Sequence, residues 1–459
     1  MIIASKYARL VAALMIAALA MPLEAQNNTT APADESAREE AAVRYIQPPA
    51  PIGEFYHRDP NWATLNAPSP DGRYFIVPHA TQLSTLELMS RPTYRLAELE
   101  IRPATDRLWH LDTYGIDGLR IYDMTARRFR DVALPESTFV SDMIWSPDGS
   151  KIAFLAHLPR GSQVWTADAA TGRASRVSDA RVLATLGTSA HVNIAPQVSM
   201  RTPSMLQWTP EGTLLTFMVP RDRGSEPARN RIPVGPMMRQ TRPEPVLTRT
   251  FPNLLNDNHD ADLFEFYTKS QLVELAAGKA PKPLGEPRMY ESIALSADGK
   301  HVLATYLERP FSFIVSYRSF PSETVVLDRD GALVATIERQ ALREGGGRFG
   351  GGGIRSLAWR PDGAGLSFLK RGNGSTDQVM RMAAPFDTAR AEVVATSPDP
   401  IRNVTYSRDG TKAFGTVTKS GRSGIAYWDL GQSPAERRML VDFYHPDSLF
   451  TNPGSLWTD

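Results

Sequence analysis

A short turn motif recurs six times along the chain, and it constrains the fold more than any other feature of the sequence. Each copy joins two or three turn-forming residues to a glycine, in most cases after an aromatic or apolar residue. The six copies end at Gly72, Gly149, Gly212, Gly299, Gly363 and Gly410. Proline presets φ to about −65°, the acidic side chain hydrogen-bonds the local backbone, and glycine accepts a positive φ. The motif therefore predicts six tight β-turns.

Alternating residues follow these turns, as in Ile152, Phe154 and Ala156, and they predict strands with one face on a core. A second hairpin often comes next, with turns at 171–172, 278–279 and 330–331. Two hairpins make a four-stranded antiparallel sheet. The acidic residues of successive motifs lie 77, 63, 87, 64 and 47 residues apart, so the units vary in length and carry insertions.

Radial packing of such sheets is a β-propeller, whereas a β-sandwich has no reason to repeat this turn six times. We therefore predict an all-β fold, a β-propeller of four-stranded antiparallel blades. We expect about six or seven blades, which need not form a complete set.

The first 25 residues have the pattern of a secretory signal peptide, with basic residues before an apolar run at 10–21. That run is short for a permanent span of a hydrocarbon core about 30 Å thick, although an uncleaved anchor is the alternative. We expect residues 26–48 to be a flexible leader and residues 49–459 to be the propeller domain. The mature protein is then exported, periplasmic or extracellular, and free of the membrane.

The composition excludes several classes of function. The 51 Lys and Arg residues nearly balance the 50 Asp and Glu residues, and a net charge of +1 gives no field for holding a nucleic acid. The chain has no cysteine, which excludes a disulfide framework, a thiolate nucleophile and a Cys-ligated zinc site.

The sequence contains no motif that identifies a catalytic residue or a cofactor site. Residues 345–350 match G-x-G-x-x-G by letter, but no buried strand precedes them and no helix follows, so we interpret them as a loop. No serine has glycine at both −2 and +2, and the nearest case, at 421–425, lies in a predicted hairpin turn. The chain therefore lacks the nucleophile elbow that an α/β-hydrolase needs.

Asp257, His259, Asp260 and Asp262 form the densest group of potential metal ligands. A calcium loop needs glycine at its sixth position, and Asp262 stands there instead. We therefore interpret this segment as a solvated connection before a strand at 263–267, and we predict no metal site.

Six segments of the chain are unusual in sequence: 91–92, 96–99, 248–272, 308–315, 318–321 and 354–360. Together they resemble the propeller of glutamyl endopeptidases, which are serine peptidases of the prolyl oligopeptidase superfamily. The resemblance covers roughly Pro49 to the chain end.

The resemblance implies an N-terminal propeller that caps a C-terminal α/β-hydrolase domain carrying Ser, Asp and His. It further implies cleavage after acidic residues by the intact enzyme. The chain ends at Asp459, soon after a stretch at 452–455 that resembles a late point in the propeller. We therefore expect the hydrolase domain, and the last blade or two, to be missing from a truncated chain that is inactive alone. The partners implied are a peptide substrate and that hydrolase domain.

Arg309 is the predicted substrate-binding residue, because it stands beside Pro310 in a segment typical of the family and can pair with an acidic side chain. The alternative is a structural arginine that pairs with a carboxylate of a neighbouring blade. The rival interpretation of the whole chain is a non-enzymatic, TolB-like periplasmic propeller that binds a protein or peptide.

Overall fold

The computed structural model describes residues 66–80, 84–113, 115–187, 205–229, 252–344, 353–372, 376–431 and 434–444. The predicted signal peptide, the leader, the glycine-rich loop at 345–350 and the stretch at 452–455 lie outside the described residues. None of the described helices is long and apolar enough to cross a membrane.

The described strands form six four-stranded antiparallel units, which we call blades 1 to 6; blades 1 and 2 share one eight-stranded sheet, and blades 3 to 6 are separate sheets. Blade 1 and its insertion contain, in chain order, β1 (Asn66–Pro68), β2 (Tyr74–Ala80), helix α1 (Leu86–Ser90), β3 (Tyr94–Leu96), β4 (Leu99–Arg102), β5 (Arg107–Leu108), helix α2 (His110–Thr113), β6 (Ile116–Asp123) and β7 (Arg128–Asp131). Strands β3, β4 and β5 form a separate small sheet, and β1, β2, β6 and β7 form the blade.

Blades 2 and 3 follow in the same order of first to fourth strand. Blade 2 contains β8 (Phe139–Trp145), β9 (Lys151–Leu158), β10 (Gly161–Asp168) and β11 (Ala174–Arg176). Blade 3 contains β12 (Gln207–Trp208), β13 (Leu214–Met218), helix α3 (Asn258–Thr268), β14 (Gln271–Leu275) and β15 (Lys282–Pro283). A single backbone pairing, Ile116 with Val140, joins blade 1 to blade 2.

Blades 4 to 6 complete the described part. Blade 4 contains β16 (Met289–Leu295), β17 (His301–Leu307), β18 (Ser322–Asp328) and β19 (Leu333–Gln340), with a 3-10 turn at Tyr317–Ser319. Blade 5 contains β20 (Arg355–Trp359), β21 (Leu366–Arg371), β22 (Asp377–Met382) and β23 (Glu392–Ser397), with a 3-10 turn at Thr388–Arg390. Blade 6 contains β24 (Ile401–Tyr406), β25 (Lys412–Lys419), β26 (Arg422–Asp429) and β27 (Arg438–Tyr444). The predicted all-β propeller of four-stranded blades is confirmed.

Each of the six turn motifs connects the first strand of a blade to the second, as predicted. In blade 2 the Ser146 hydroxyl donates to Asp148 at 2.6 Å and accepts the Lys151 N–H at 2.9 Å. Hydrogen bonds from Ser146 and Ser150 lower the pKa of Asp148 to about 2. Gly149 closes the turn at φ +69°, a conformation that other residues adopt at a cost.

The aromatic residues of the motifs connect neighbouring blades. Trp145 is buried and stacks on Tyr74 of blade 1, with ring centroids 6.3 Å apart. Trp359 is partly buried, and its indole N–H donates to the Ala294 carbonyl of blade 4 at 2.8 Å. Trp208 is also partly buried. Burial between sheets is therefore complete for Trp145 and partial for Trp208 and Trp359.

The predicted strand at 263–267 is wrong, because these residues lie in α3. Asp257 caps the helix by accepting the Asp260 N–H at 2.9 Å. Ala261, Phe264 and Thr268 are buried at spacings of three and four residues, which is the helical period. The acidic segment is thus a helix start and not a solvated connection before a strand.

Candidate functional site

Three blades carry long connections between their second and third strands. These connections span 81–115 in blade 1, 219–270 in blade 3 and 308–321 in blade 4, whereas the equivalent connections of blades 2 and 6 have two residues each. Because successive strands of a blade are antiparallel, all these connections leave the blades at the end opposite the six turn motifs. We call the described parts, 84–113, 219–229, 252–270 and 308–321, the insertion cap.

The parts of the insertion cap contact one another directly. The tight turn between β3 and β4 lies at the centre, with Ala97 and Glu98 at positive φ. The Ala97 carbonyl accepts the Tyr317 N–H at 3.2 Å, and the Glu98 N–H donates to the Asn253 carbonyl at 2.9 Å. The insertion cap therefore brings together most of the unusual sequence segments, namely 91–92, 96–99, 252–272 and 308–321. Segment 354–360 lies apart in blade 5.

An aromatic cluster anchors α3 on the blade 4 connection. Phe264 is fully buried, and its ring lies 5.1 Å from Phe311 and 5.4 Å from Phe320. Phe311 and Phe320 stack on each other at 5.1 Å. Edge-to-face and offset contacts of this kind add about 0.5–1.5 kcal/mol each beyond area burial. The cap is consequently a packed structure that holds its polar groups in place.

An exposed carboxylate, that of Glu226, crosslinks two parts of the cap. Glu226 accepts the Tyr94 hydroxyl at 2.7 Å and also accepts the Tyr267 hydroxyl. Burial, followed by the hydrogen bond to Glu226, raises the pKa of Tyr267 far above its ordinary value. Both tyrosines are therefore donors throughout the physiological pH range, and they tie the blade 1 insertion to α3.

A buried ionic cluster holds the blade 1 insertion together. Asp112 lies 2.9 Å from Arg102 Nε and 2.6 Å from Arg107 Nε, and all three side chains are at most 3% exposed. Burial lowers the pKa of Arg107, and the Asp112 charge opposes that effect. The Asp112 carboxylate is thus the counter-charge that offsets the desolvation cost of burying two guanidinium groups.

Arg309 lies on the surface of this cap and pairs with two carboxylates of α3. Its Nη2 is 2.8 Å from Asp262 and its Nε is 2.6 Å from Glu265, and the guanidinium lies 4.8 Å from the Phe311 ring centroid. The side chain is 46% exposed. Because α3 belongs to blade 3 and Arg309 to blade 4, these contacts match the structural alternative that the sequence left open.

Arg309 also lines a cleft of about 480 Å³ between α3 and the neighbouring connections. The charged lining residues are Asp222, Arg223, Asp262, Glu265, Lys269, Glu286 and Arg309. Four carboxylates thus face three cations, so the cleft has no excess of positive charge. A substrate carboxylate would have to replace Asp262 or Glu265 beside Arg309, and the substrate contact of Arg309 stays a prediction.

Arg223 is a cleft residue that the sequence did not identify. Its side chain is 12% exposed, its Nη1 lies 2.6 Å from Asp106, and its Cζ lies 3.9 Å from the Phe266 ring centroid. Within the described residues, its buried Nη2 has no hydrogen-bond acceptor. Asp106 is 117 residues away in the chain, so no local pattern could have paired the two. The described residues contain no group of three His, Asp or Glu side chains placed to hold a metal.

Comparison with known proteins identifies relatives of this chain. No family model matches the sequence. The chain is 29% identical over 332 residues to a probable chloroplastic glutamyl endopeptidase of Arabidopsis thaliana, an alignment that covers 69% of this chain and 33% of the relative. A probable chloroplastic glutamyl endopeptidase of Oryza sativa subsp. japonica is 27% identical over 344 residues, covering 70% of this chain and 34% of its own. The chain thus spans about a third of the length of these curated relatives.

Among solved structures, dipeptidyl peptidase 4 of Porphyromonas gingivalis matches 85% of this chain and 48% of its own, with a TM-score of 0.45 and 10% identity. That likeness is too distant to bear on function. The sheets described above establish the propeller fold. Both sequence alignments relate it to probable glutamyl endopeptidases. The chain is a β-propeller similar to a portion of these two probable glutamyl endopeptidases.

Proposed function

We propose that this propeller is the substrate-gating portion of an exported serine peptidase of the prolyl oligopeptidase type, which hydrolyses peptide bonds after acidic residues when intact. The observation that carries the proposal is the insertion cap, in which three long connections leave the same end of the propeller and pack together. The two sequence relatives are probable glutamyl endopeptidases, which supports the class of reaction.

In this proposal the propeller contributes access control and no bond chemistry. Hydrolysis needs a nucleophile activated by a base, and the sequence of this chain has no nucleophile elbow. A structured surface over an active site admits short or extended peptides and rejects folded proteins by size. The serine, aspartate and histidine of the reaction belong to the catalytic domain that the proposal requires.

Sequencing the gene beyond the codon of Asp459 tests this proposal. A reading frame that continues into a G-x-S-x-G with later Asp and His supports it. A stop codon at that point would overturn it and favour the non-enzymatic propeller that binds a protein or peptide.

If the frame continues, the extended protein allows a test of gating. Replacing Glu226 with alanine removes the acceptor shared by Tyr94 and Tyr267 and loosens the cap. We expect kcat/KM for an unfolded protein substrate to rise relative to kcat/KM for a short glutamate peptide. An unchanged ratio, in a variant whose cap is shown by hydrogen exchange to open more often, would contradict gating by the cap.

Export is part of the proposal and has its own measurement. The apolar run at 10–21 and the small residues near Ala25 are typical of a cleaved leader. We expect N-terminal sequencing of the protein from its native host to begin just after Ala25. Detection of Met1 or the apolar run in the mature protein would refute signal cleavage.

A further inference from the structure

A second cavity of about 660 Å³ lies between blades 2 and 3. Three chain segments form its walls: residues 176–181 after β11, residues 218–221 after β13, and residues 278–281 between β14 and β15. We call it the basic groove. The chain leaving β13 separates it from the Arg309 cleft, because Arg221 lines the groove whereas Asp222 and Arg223 line the cleft.

Positive charge predominates in the basic groove. Its lining contains four cationic side chains, Arg176, Arg181, Arg221 and Lys279, and one carboxylate, Asp179. Since the whole chain has a net charge of only +1, this excess is local to the groove and not a general basicity of the protein.

Two of these cations have an ion-pair partner and two do not. Arg176 pairs with Asp179 at 2.7 Å, and Arg181 pairs with Asp106 outside the groove. Arg221 and Lys279 have no ion-pair partner in the part of the chain that the structure describes. They stand on two different walls, so a ligand that satisfies both must extend across the groove.

Apart from Ser178, the remaining lining carries no polar side chain. Val177 and Met218 are buried, and Ala180 and Pro281 lie beside them. A groove of this kind suits a ligand with separated negative charges on a partly apolar backbone. No aromatic side chain lines it, so it lacks the platforms on which proteins stack the bases of single-stranded nucleic acid.

We propose that the basic groove binds an acidic peptide segment, whose carboxylates pair with Arg221 and Lys279. This inference does not rest on the proposed peptidase function, since it concerns binding by this chain and needs no catalytic domain. It assigns recognition of acidic peptides to the junction of blades 2 and 3, away from Arg309.

Fluorescence anisotropy with a labelled oligoglutamate peptide and the full 459-residue chain tests this proposal. The variant reverses both free charges, Arg221→Glu with Lys279→Glu. The matched control, Arg402→Glu with Lys412→Glu, makes the same charge change at two exposed positions of blade 6. A second pair, Arg221→Gln with Lys279→Gln, removes the charges without reversal and has no ion pair to break. Circular dichroism and thermal melting verify that each variant is folded.

We expect the wild-type chain to bind oligoglutamate and to lose that binding as salt rises from about 0.15 M to about 1 M. Charge reversal in the groove should weaken binding about tenfold or more, the glutamine pair should weaken it less, and the control should change it little. Equal weakening by groove and control variants would overturn the proposal, because it would show a general effect of net charge. Absence of oligoglutamate binding, or binding of an oligonucleotide in preference to it, would overturn it as well.

Discussion

Replacing Arg309 with alanine distinguishes its structural role from its predicted substrate role. The change removes two ion pairs, to Asp262 and Glu265, and one cation–π contact, to Phe311. All three charged groups are substantially exposed, so each ion pair contributes about 0.2–1 kcal/mol. The aromatic contact adds about 0.5–1 kcal/mol. We therefore expect the free energy of unfolding to fall by about 1–3 kcal/mol.

Urea denaturation, followed by tryptophan fluorescence, measures this loss. Arg309→Lys keeps the charge but lacks the planar fork that reaches both carboxylates, so we expect a smaller loss. Arg402→Ala is the control, because Arg402 is exposed on β24 and has no ion pair among the described residues. Salt at about 1 M should reduce the difference between wild type and Arg309→Ala. An unfolding midpoint that does not move in Arg309→Ala would refute the structural role.

The substrate role makes a different prediction for an extended protein that carries the catalytic domain. If Arg309 contacts the acidic side chain, its removal should lower kcat/KM for glutamate peptides, by an amount equivalent to about 2–4 kcal/mol of transition-state binding. The kcat/KM for neutral peptides should not change. Equal losses of kcat/KM for both kinds of peptide, together with reduced stability, would show that Arg309 acts only through its ion pairs with α3.

Three further predictions follow from buried groups and from the chain itself. Asp112→Asn should lower the free energy of unfolding in urea by about 3–5 kcal/mol, because it leaves two buried guanidinium groups without a counter-charge. Asp131→Asn, at an exposed position, should lower it little. Equal losses in the two variants would refute this account. Burial sets the pKa of His157 well below its ordinary value. Below about pH 6.5 the imidazole is therefore protonated in the unfolded chain but not in the folded one. The free energy of unfolding should fall there, as the pH is lowered, by up to about 1.4 kcal/mol per pH unit. His157→Gln should flatten that part of the pH dependence, and an unchanged profile would exclude His157 as its source. The 459-residue chain should not cleave glutamate peptides or react with a serine-directed probe, and burst labelling would contradict this.

The repeating turns could be predicted from sequence because their interactions are local. In four of the six motifs a serine hydroxyl hydrogen-bonds the carboxylate two residues further on, as Ser146 does with Asp148. In the fifth motif Arg360 pairs with Asp362 instead. Such contacts form wherever those residues occur in that order, so six copies indicated six hairpins and a propeller. The prediction that alternation marks a single buried face is wrong for β9, because all residues from Ile152 to Ala156 are buried. Its two faces belong to two different core clusters, as expected for an inner strand with a neighbouring blade on each side.

The insertion cap and its charges depended on tertiary structure. Helix α3 was mistaken for a strand because a short apolar run has no clear period, and its type became evident only from packing against Phe311 and Phe320. Arg309 was identified by its surroundings in sequence, but its partners lie 44 and 47 residues away in another blade. Ala97 and Tyr317 are likewise hydrogen-bonded although 220 residues separate them in the chain, so no local pattern could have paired them. Local hydrogen-bonding chemistry therefore determined the blades, whereas only the packing of one blade against the next decided which charges of the cap and the basic groove are paired and which remain free.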